Sequence, residues 1–259
     1  MTSRERVLTT FKFGEPDRVP SWIGASPEFI NKAINKFNLH NEEELLQLFG
    51  DDFRRVIAPY LPEDPQGTED TPFGIPRAGI GYGMATHNPL SGAGMEDIKA
   101  FGNDFGSNTG PLLDVSLFDR FIVPQLRRLT GLGHRYGLKV MLHCCGGFRE
   151  LIPSMIESGL DGLHAIQPSC RGMDIRELKK EFGDRIVFNG CIDSNFVLIQ
   201  GTPDYVRQVT KRTINIMKPG GGFIAGASHD YLLEETPVEN VHAMFETINT
   251  YGKYHYTDH

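Results

Sequence analysis

The sequence predicts an α/β protein of the (β/α)8 TIM-barrel type. Three observations carry this expectation. From Leu138 onward, short apolar runs alternate with segments of helical periodicity, the pattern of a parallel sheet with covering helices. Just past four of those runs stands a polar cluster: His143-Cys-Cys, Gln167-Pro-Ser-Cys170, Gly190-Cys-Ile-Asp193 and Ser228-His-Asp230. Barrels of this type build their sites from strand-end loops on one face. Finally, no Gly-x-Gly-x-x-Gly follows a strand and no phosphate-loop lysine motif occurs, so the marks of an open nucleotide-binding sheet are missing. A chain of 259 residues suits one such domain, and 1–259 is expected to form it.

The elements follow in order. Thr2 or Ser3 caps a short helix running to Phe11, and Val19 to Ile23 reads as a first strand. Ser26-Pro27 is an N-cap followed by proline at the first helical position, and Phe29, Ile30, Ala33, Ile34 and Phe37 keep helical spacing. Asn41 and Glu44 form a capping-box pattern, with Gly50 as the stop. A further strand is expected from Phe53 to Pro59. Between Leu61 and Gly94 prolines and glycines dominate, which predicts a long loop or a loosely paired hairpin. Met95 to Phe101 reads as a helical turn or two, and Gly102 to Pro111 as a polar, glycine-punctuated loop. Ser116 to Tyr136 is helical with an interruption at Pro124.

The regular half comes next. Strands are expected at Leu138–His143, Leu160–Ile166, Arg185–Asn189 and Phe223–Gly226. Helices are expected at Phe148–Ser158, Asp174–Phe182, Thr202–Met217 and after the capping-box pattern Thr236-Pro-Val-Glu239.

Composition narrows the function. A net charge of −7 shows no basic excess, so nucleic acid is not the expected partner. No apolar run approaches membrane-spanning length, and the first thirty residues lack a leader pattern, so a cytoplasmic protein acting on a small molecule is expected. Four cysteines in a chain of this size are no disulfide framework; reduced thiols, some on metal, fit better.

The stretch from Leu138 to Gly147 carries the strongest chemical signal. Side chains alternate along a strand, so His143 and Cys145 should share one side while Cys144 takes the other. An imidazole and a thiolate converging at a strand end are half of a tetrahedral zinc site. The same cysteine reads equally as packing, since Cys is among the most buried residue types. His164, within a strand, reads as a satisfied core or surface histidine.

Taken in order, these motifs resemble the uroporphyrinogen decarboxylase superfamily, which includes the decarboxylase and zinc-dependent methylcobamide:thiol methyltransferases. The resemblance rests on Ser3-Arg-Glu-Arg-Val-Leu, Glu15-Pro-Asp-Arg-Val-Pro20, Gly110-Pro111, His143-x-Cys145-Gly146, Gly190-Cys-Ile-Asp193, Gly226-Ala-Ser-His229 and Thr236-Pro-Val-Glu-Asn240. It implies a (β/α)8 barrel. The chain departs from the family at three places. A strand, a helical pair and a second strand have no counterpart near residue 102, so the barrel is expected to be incomplete. Ser21 to Ile30 holds none of the decarboxylase's arginines. Where the methyltransferases place a third, cysteine ligand, this chain has Ser228 beside His229.

Two activities follow from the resemblance. Methyl transfer from a methyl-corrinoid to a thiol implies zinc on His143 and Cys145, with His229 as third ligand, Cys191 and Asp193 behind it, and a corrinoid protein as a partner. Decarboxylation of a porphyrinogen implies no metal, a catalytic aspartate at Asp51 or Asp52, and substrate contact by His229. Asp193 is a further catalytic candidate, and Asp104, Asn108, Gln167 and Asp230 are candidate substrate-binding residues on the surrounding loops. A third possibility is a non-catalytic binding module, or a barrel completed by a second copy; the decarboxylases imply a homodimer.

Overall fold

The computed structural model describes residues 1–55, 77–78, 84–85 and 104–254. Its fold class is α/β of the (β/α)8-barrel type, with the described residues forming one sector. Helices α1 (Ser3–Thr10), α2 (Pro27–Phe37) and α3 (Glu42–Phe49) start on side-chain caps from Thr2, Ser26 and Asn41. Each cap oxygen accepts a first-turn N–H that has no partner within the helix. The second and third helices end on Asn38 and Gly50, both in the left-handed region at φ 54° and 69°.

Arg77–Ala78 (β1) pairs antiparallel with Met84–Ala85 (β2), the described part of the excursion expected at 61–94. The helical turn expected at 95–101 lies outside the described residues, and Phe53 to Arg55 form no strand. Gly106–Ser107 (β3) and Gly110–Pro111 (β4) make a tight antiparallel hairpin. Two helices follow, α4 (Val115–Phe121) and α5 (Val123–Arg135), broken at Ile122 with Pro124 in the first turn of the second. Proline lacks the N–H an interior turn needs, so the interruption falls where the sequence placed it.

The regular half comprises β5 (Met141–His143), α6 (Ile152–Glu157), β6 (Gly162–Ile166), α7 (Ile175–Phe182), β7 (Val187–Ile192), α8 (Pro203–Met217), β8 (Phe223–Ala227) and α9 (Val238–Tyr251). Three local features differ from expectation. The helix after β5 opens with a 3-10 turn, Arg149–Leu151, because Pro153 belongs in the first α-turn. A π-helical segment, Ser194–Ile199, follows β7. Before α9 the cap position is Pro237 with no side-chain cap, so the Thr236 capping box does not form; instead, the Thr236 carbonyl accepts from the Lys32 ammonium at 3.1 Å.

Strands β5 to β8 form one parallel sheet in sequence order. Past β8 lies the amino-terminal extended segment: Trp22 N–H donates to the Ala225 carbonyl at 3.0 Å, and Ala225 N–H to that of Pro20 at 2.8 Å. The first strand of a barrel closes against its last, and this parallel bridge at Ser21 makes that contact. Strands β7 and β8 are buried along their whole length, as a sheet covered on both faces requires. Strand β5, at the edge of the described sheet, is only half-buried. Helices pack outside, with Phe49 stacked flat on Phe245 at 5.0 Å between ring centroids. Among the described residues no helix is long and apolar enough to cross a membrane.

An ion-pair network ties the amino terminus to this frame. The fully buried Asp52 carboxylate accepts from Arg6 Nη1 at 2.5 Å, from Arg18 Nη1 at 2.8 Å and from the Ser21 N–H at 3.0 Å. Asp17 takes the other side of the Arg6 guanidinium, which holds its carboxyl well below the usual carboxylate range. Asp52, expected as catalytic, is therefore enclosed by structural donors: both of its oxygens are occupied by the fold.

Candidate metal centre

The site grows from the end of β5. Cys144 points into the core, where it is fully buried and its Sγ accepts the Phe105 N–H at 3.3 Å; burial pushes its thiol up to about 12. His143 and Cys145 take the opposite side, as strand alternation demands. Cys145 Sγ lies 3.4 Å from His143 Nε2, and Asp104 Oδ1 lies 3.7 Å from that same nitrogen. Donors on one tetrahedral zinc, at ordinary zinc–ligand lengths, stand roughly 3.4–3.6 Å apart. The three residues form a grouping able to hold a metal ion.

The backbone that presents them is fixed on several sides. Cys145 N–H donates to Asp104 Oδ1 at 2.8 Å, and Gly146 N–H to Gln167 Oε1 at 2.7 Å. The β3–β4 hairpin presses against the same turn, with Gly147 N–H donating to the Ser107 carbonyl at 2.7 Å. Gly146 sits at φ +89°, and a Cβ there would fall 2.5 Å from the Gly106 carbonyl carbon. The glycines after Cys145 thus provide a backbone conformation and a close approach that a side chain would block.

His164 completes the pocket. It is the register partner of His143 on β6, with the two Nδ1 atoms 3.0 Å apart. Trp22 stands edge-to-face to its ring at 4.3 Å. Burial, helped by His143 beside it, depresses His164 to about 3, so the ring is neutral. Together with Asp230, the pair makes a second grouping of possible ligands, His143, His164 and Asp230. The donors in the two groupings are sulfur, imidazole nitrogen and carboxylate oxygen, the ligand types zinc takes. Cys145 itself, desolvated and facing the Asp104 charge, is pushed up to about 12, which a cation at the site would oppose.

The other expected residues lie elsewhere or are engaged. His229, expected as third ligand, belongs to neither grouping; its Nδ1 turns to its own loop, 3.2 Å from the Tyr231 N. Asp193 caps the π-helical segment, its Oδ1 accepting from the Asn195 and Phe196 N–H groups at 2.9 and 2.6 Å. Asn108 and Gln167 converge on Cys170, whose Sγ lies 3.7 and 3.4 Å from their side-chain oxygens. Cys191 is buried within β7, where desolvation pushes its thiol up. His164 was not legible as a site residue, because its place beside His143 depends on inter-strand register, and Asp104 entered only as a substrate contact.

A strand-end pocket of imidazole, thiol and carboxylate on a parallel α/β sheet defines a barrel protein with a candidate metal centre. The uroporphyrinogen decarboxylase (URO-D) family model matches residues 98–251, more than half of the chain, and the chain belongs to this family. The family's members are enzymes. Among curated proteins, the methylcobamide:CoM methyltransferase MtaA of Methanosarcina barkeri is 26% identical over 144 residues, covering 54% of this chain and 38% of the relative. The same figures hold for the MtaA of M. barkeri strain Fusaro / DSM 804. The match thus spans well under half the length of these relatives. A solved methyltransferase from Methanosarcina mazei aligns with TM-score 0.44 at 22% identity, over 54% of this chain and 38% of its own.

Proposed function

We propose that this chain is a zinc-dependent methyltransferase of the uroporphyrinogen decarboxylase family, moving a methyl group from a methyl-corrinoid to a thiol. The observation that carries this is the convergence of Cys145 Sγ and Asp104 Oδ1 on His143 Nε2, at 3.4 and 3.7 Å. The matched relatives are methylcobamide methyltransferases by name, which favours methyl transfer among the family's activities. His143, Cys145 and Asp104 would hold the zinc, leaving a fourth position open as catalytic sites do. Bound there, zinc supplies a Lewis acid that lowers the pKa of a thiol.

The chain's own groups set the frame for that chemistry. Asp104 is held by the Cys145 N–H, the Cys145–Gly147 turn by Gln167 and the hairpin, and His143 by its strand. Overall, the transfer forms a sulfur–carbon bond and breaks a cobalt–carbon bond, whose electron pair stays on cobalt while the thiol proton is released. A corrinoid protein is the natural donor. For decarboxylation, the resemblance would require a carboxylate offered to substrate at Asp51 or Asp52, yet Asp52 is enclosed by Arg6 and Arg18.

Zinc content tests the proposal. One equivalent of zinc in the purified protein, lost in His143→Ala and Cys145→Ser, is the expected result. A metal-free protein that decarboxylates a porphyrinogen would overturn it, and a metal-free, inactive protein would point to a binding module.

A further inference from the structure

The His143 ring offers two nitrogens to two different sets of neighbours. Its Nε2 faces Cys145 and Asp104, while its Nδ1 faces His164 at 3.0 Å. Asp230 joins the second set, and the donor atoms of His143, His164 and Asp230 all lie within 4.8 Å of one another. His143 ends β5, His164 is its register partner in the middle of β6, and Asp230 lies on the loop after β8, so the fold itself brings them together. We propose that His143, His164 and Asp230 form a second divalent-cation site, free of thiolate, that accepts an iron(II)-type ion as the alternative to zinc at Cys145.

Ligand type and spacing both support this assignment. Two histidines and one carboxylate, with remaining positions open, are the set that non-haem iron(II) sites use. Cis donors about 2.1 Å from an octahedral ion are about 3.0 Å apart, and the two Nδ1 atoms stand at 3.0 Å. The register pairing of His143 with His164 across parallel strands fixes that bite. Nδ1 is also the nitrogen of His164 that is open to the pocket, because its Nε2 is buried and makes no hydrogen bond among the described residues.

The same burial sets the strength of the site. In the absence of an ion, one proton between the two Nδ1 atoms gives an ordinary hydrogen bond. An ion at Nδ1 of His164 leaves that ring's proton on Nε2, which is buried and has no acceptor among the described residues, and this weakens binding there. Filling both sites at once would need a bridging imidazolate from His143, so the two are alternatives selected by the ion. A thiolate favours zinc, and the nitrogen and carboxylate set favours the harder ions. The assignment does not rest on the zinc reading, since Cys145 takes no part in it.

Cobalt(II) titration of the full chain, followed by absorption spectroscopy, separates the sites. Cys145→Ser is expected to bind one equivalent of cobalt(II) with d–d bands but no thiolate charge-transfer band. Adding His164→Asn or Asp230→Asn should weaken that binding roughly tenfold or more, since even outer partners of ligands are worth that much. Asp230 is only partly buried, so its variant tests the site where His164→Asn perturbs packing. The proposal is overturned if Cys145→Ser binds no cobalt(II), or if both double variants bind as tightly as Cys145→Ser. A missing thiolate band in the unmodified chain would count against the zinc reading alone.

Discussion

Asp104 accepts the Cys145 N–H at 2.8 Å and lies 3.7 Å from His143 Nε2, so one carboxylate both fastens the backbone of Cys145 and shares its pocket. Removing it takes away a proposed ligand and a backbone support together. Asp104→Ala is expected to weaken zinc retention about 10–100-fold, on the scale found for removal of ligand-supporting groups. Asp104→Asn keeps an acceptor for the N–H and should fall between the two. Chelator competition on the purified proteins measures this, and an alanine variant that holds zinc like the parent would remove Asp104 from the ligand set.

The glycine after Cys145 makes the site sensitive to one methyl group. At Gly146 the backbone lies at φ +89°, with the Gly106 carbonyl carbon 2.5 Å and the Ser107 N 2.7 Å from where a Cβ would sit. Gly146→Ala should therefore cost on the order of 1–3 kcal/mol and displace the β3–β4 hairpin that carries the chain on from Asp104. Paired measurements of urea midpoint and zinc content should both fall. A lower midpoint with full zinc retention would show that the hairpin is not needed to hold the ligands.

Asp52 is held by the fold through both of its carboxylate oxygens. Its side chain is fully buried between Arg6 and Arg18, and breaking a buried pair leaves uncompensated charge. Asp52→Ala is expected to lower unfolding free energy by about 3–5 kcal/mol while leaving the metal content of the folded fraction unchanged. A loss under about 1 kcal/mol would place the pair with weak surface bridges.

The neighbouring Asp51 gives a pH dependence of known sign. Burial pushes its carboxyl up to about 7, against the opposing N–H of Phe53. A carboxyl raised on folding holds its proton more tightly in the folded state. It has no effect below its unfolded value near 3.9 and destabilises progressively as pH rises to about 7. Asp51→Asn should accordingly be more stable than the parent at pH 8, on the order of 1–4 kcal/mol, with the difference closing by pH 4. Denaturation midpoints across that range check it; a constant difference at all pH values would exclude titration of Asp51 as the cause.

Much of this architecture was legible residue by residue. Caps at Thr2, Ser26, Asn41 and Thr202 declare helices because side-chain oxygens there satisfy local N–H groups. Alternation along β5 separates Cys144 from His143 and Cys145 because strand periodicity is a backbone property. The π-helical turn after β7 and the failed Thr236 cap were not legible, since each depends on what neighbouring segments offer the backbone: the Asn240 amide, for instance, donates to the carbonyls of Leu198 and Gly201 at 2.9 and 2.8 Å.

By itself, then, the sequence determined the order of strands and helices, the strand-end clusters and the His143–Cys145 pair, all set by contacts within a few residues. Only tertiary structure decided that Asp104 rather than His229 stands beside that pair, that His164 meets His143 Nδ1 to Nδ1, and that Asp52 lies locked between Arg6 and Arg18. Those relationships depend on strand register and on the packing of distant segments, where many side chains compete for one partner and burial selects among them.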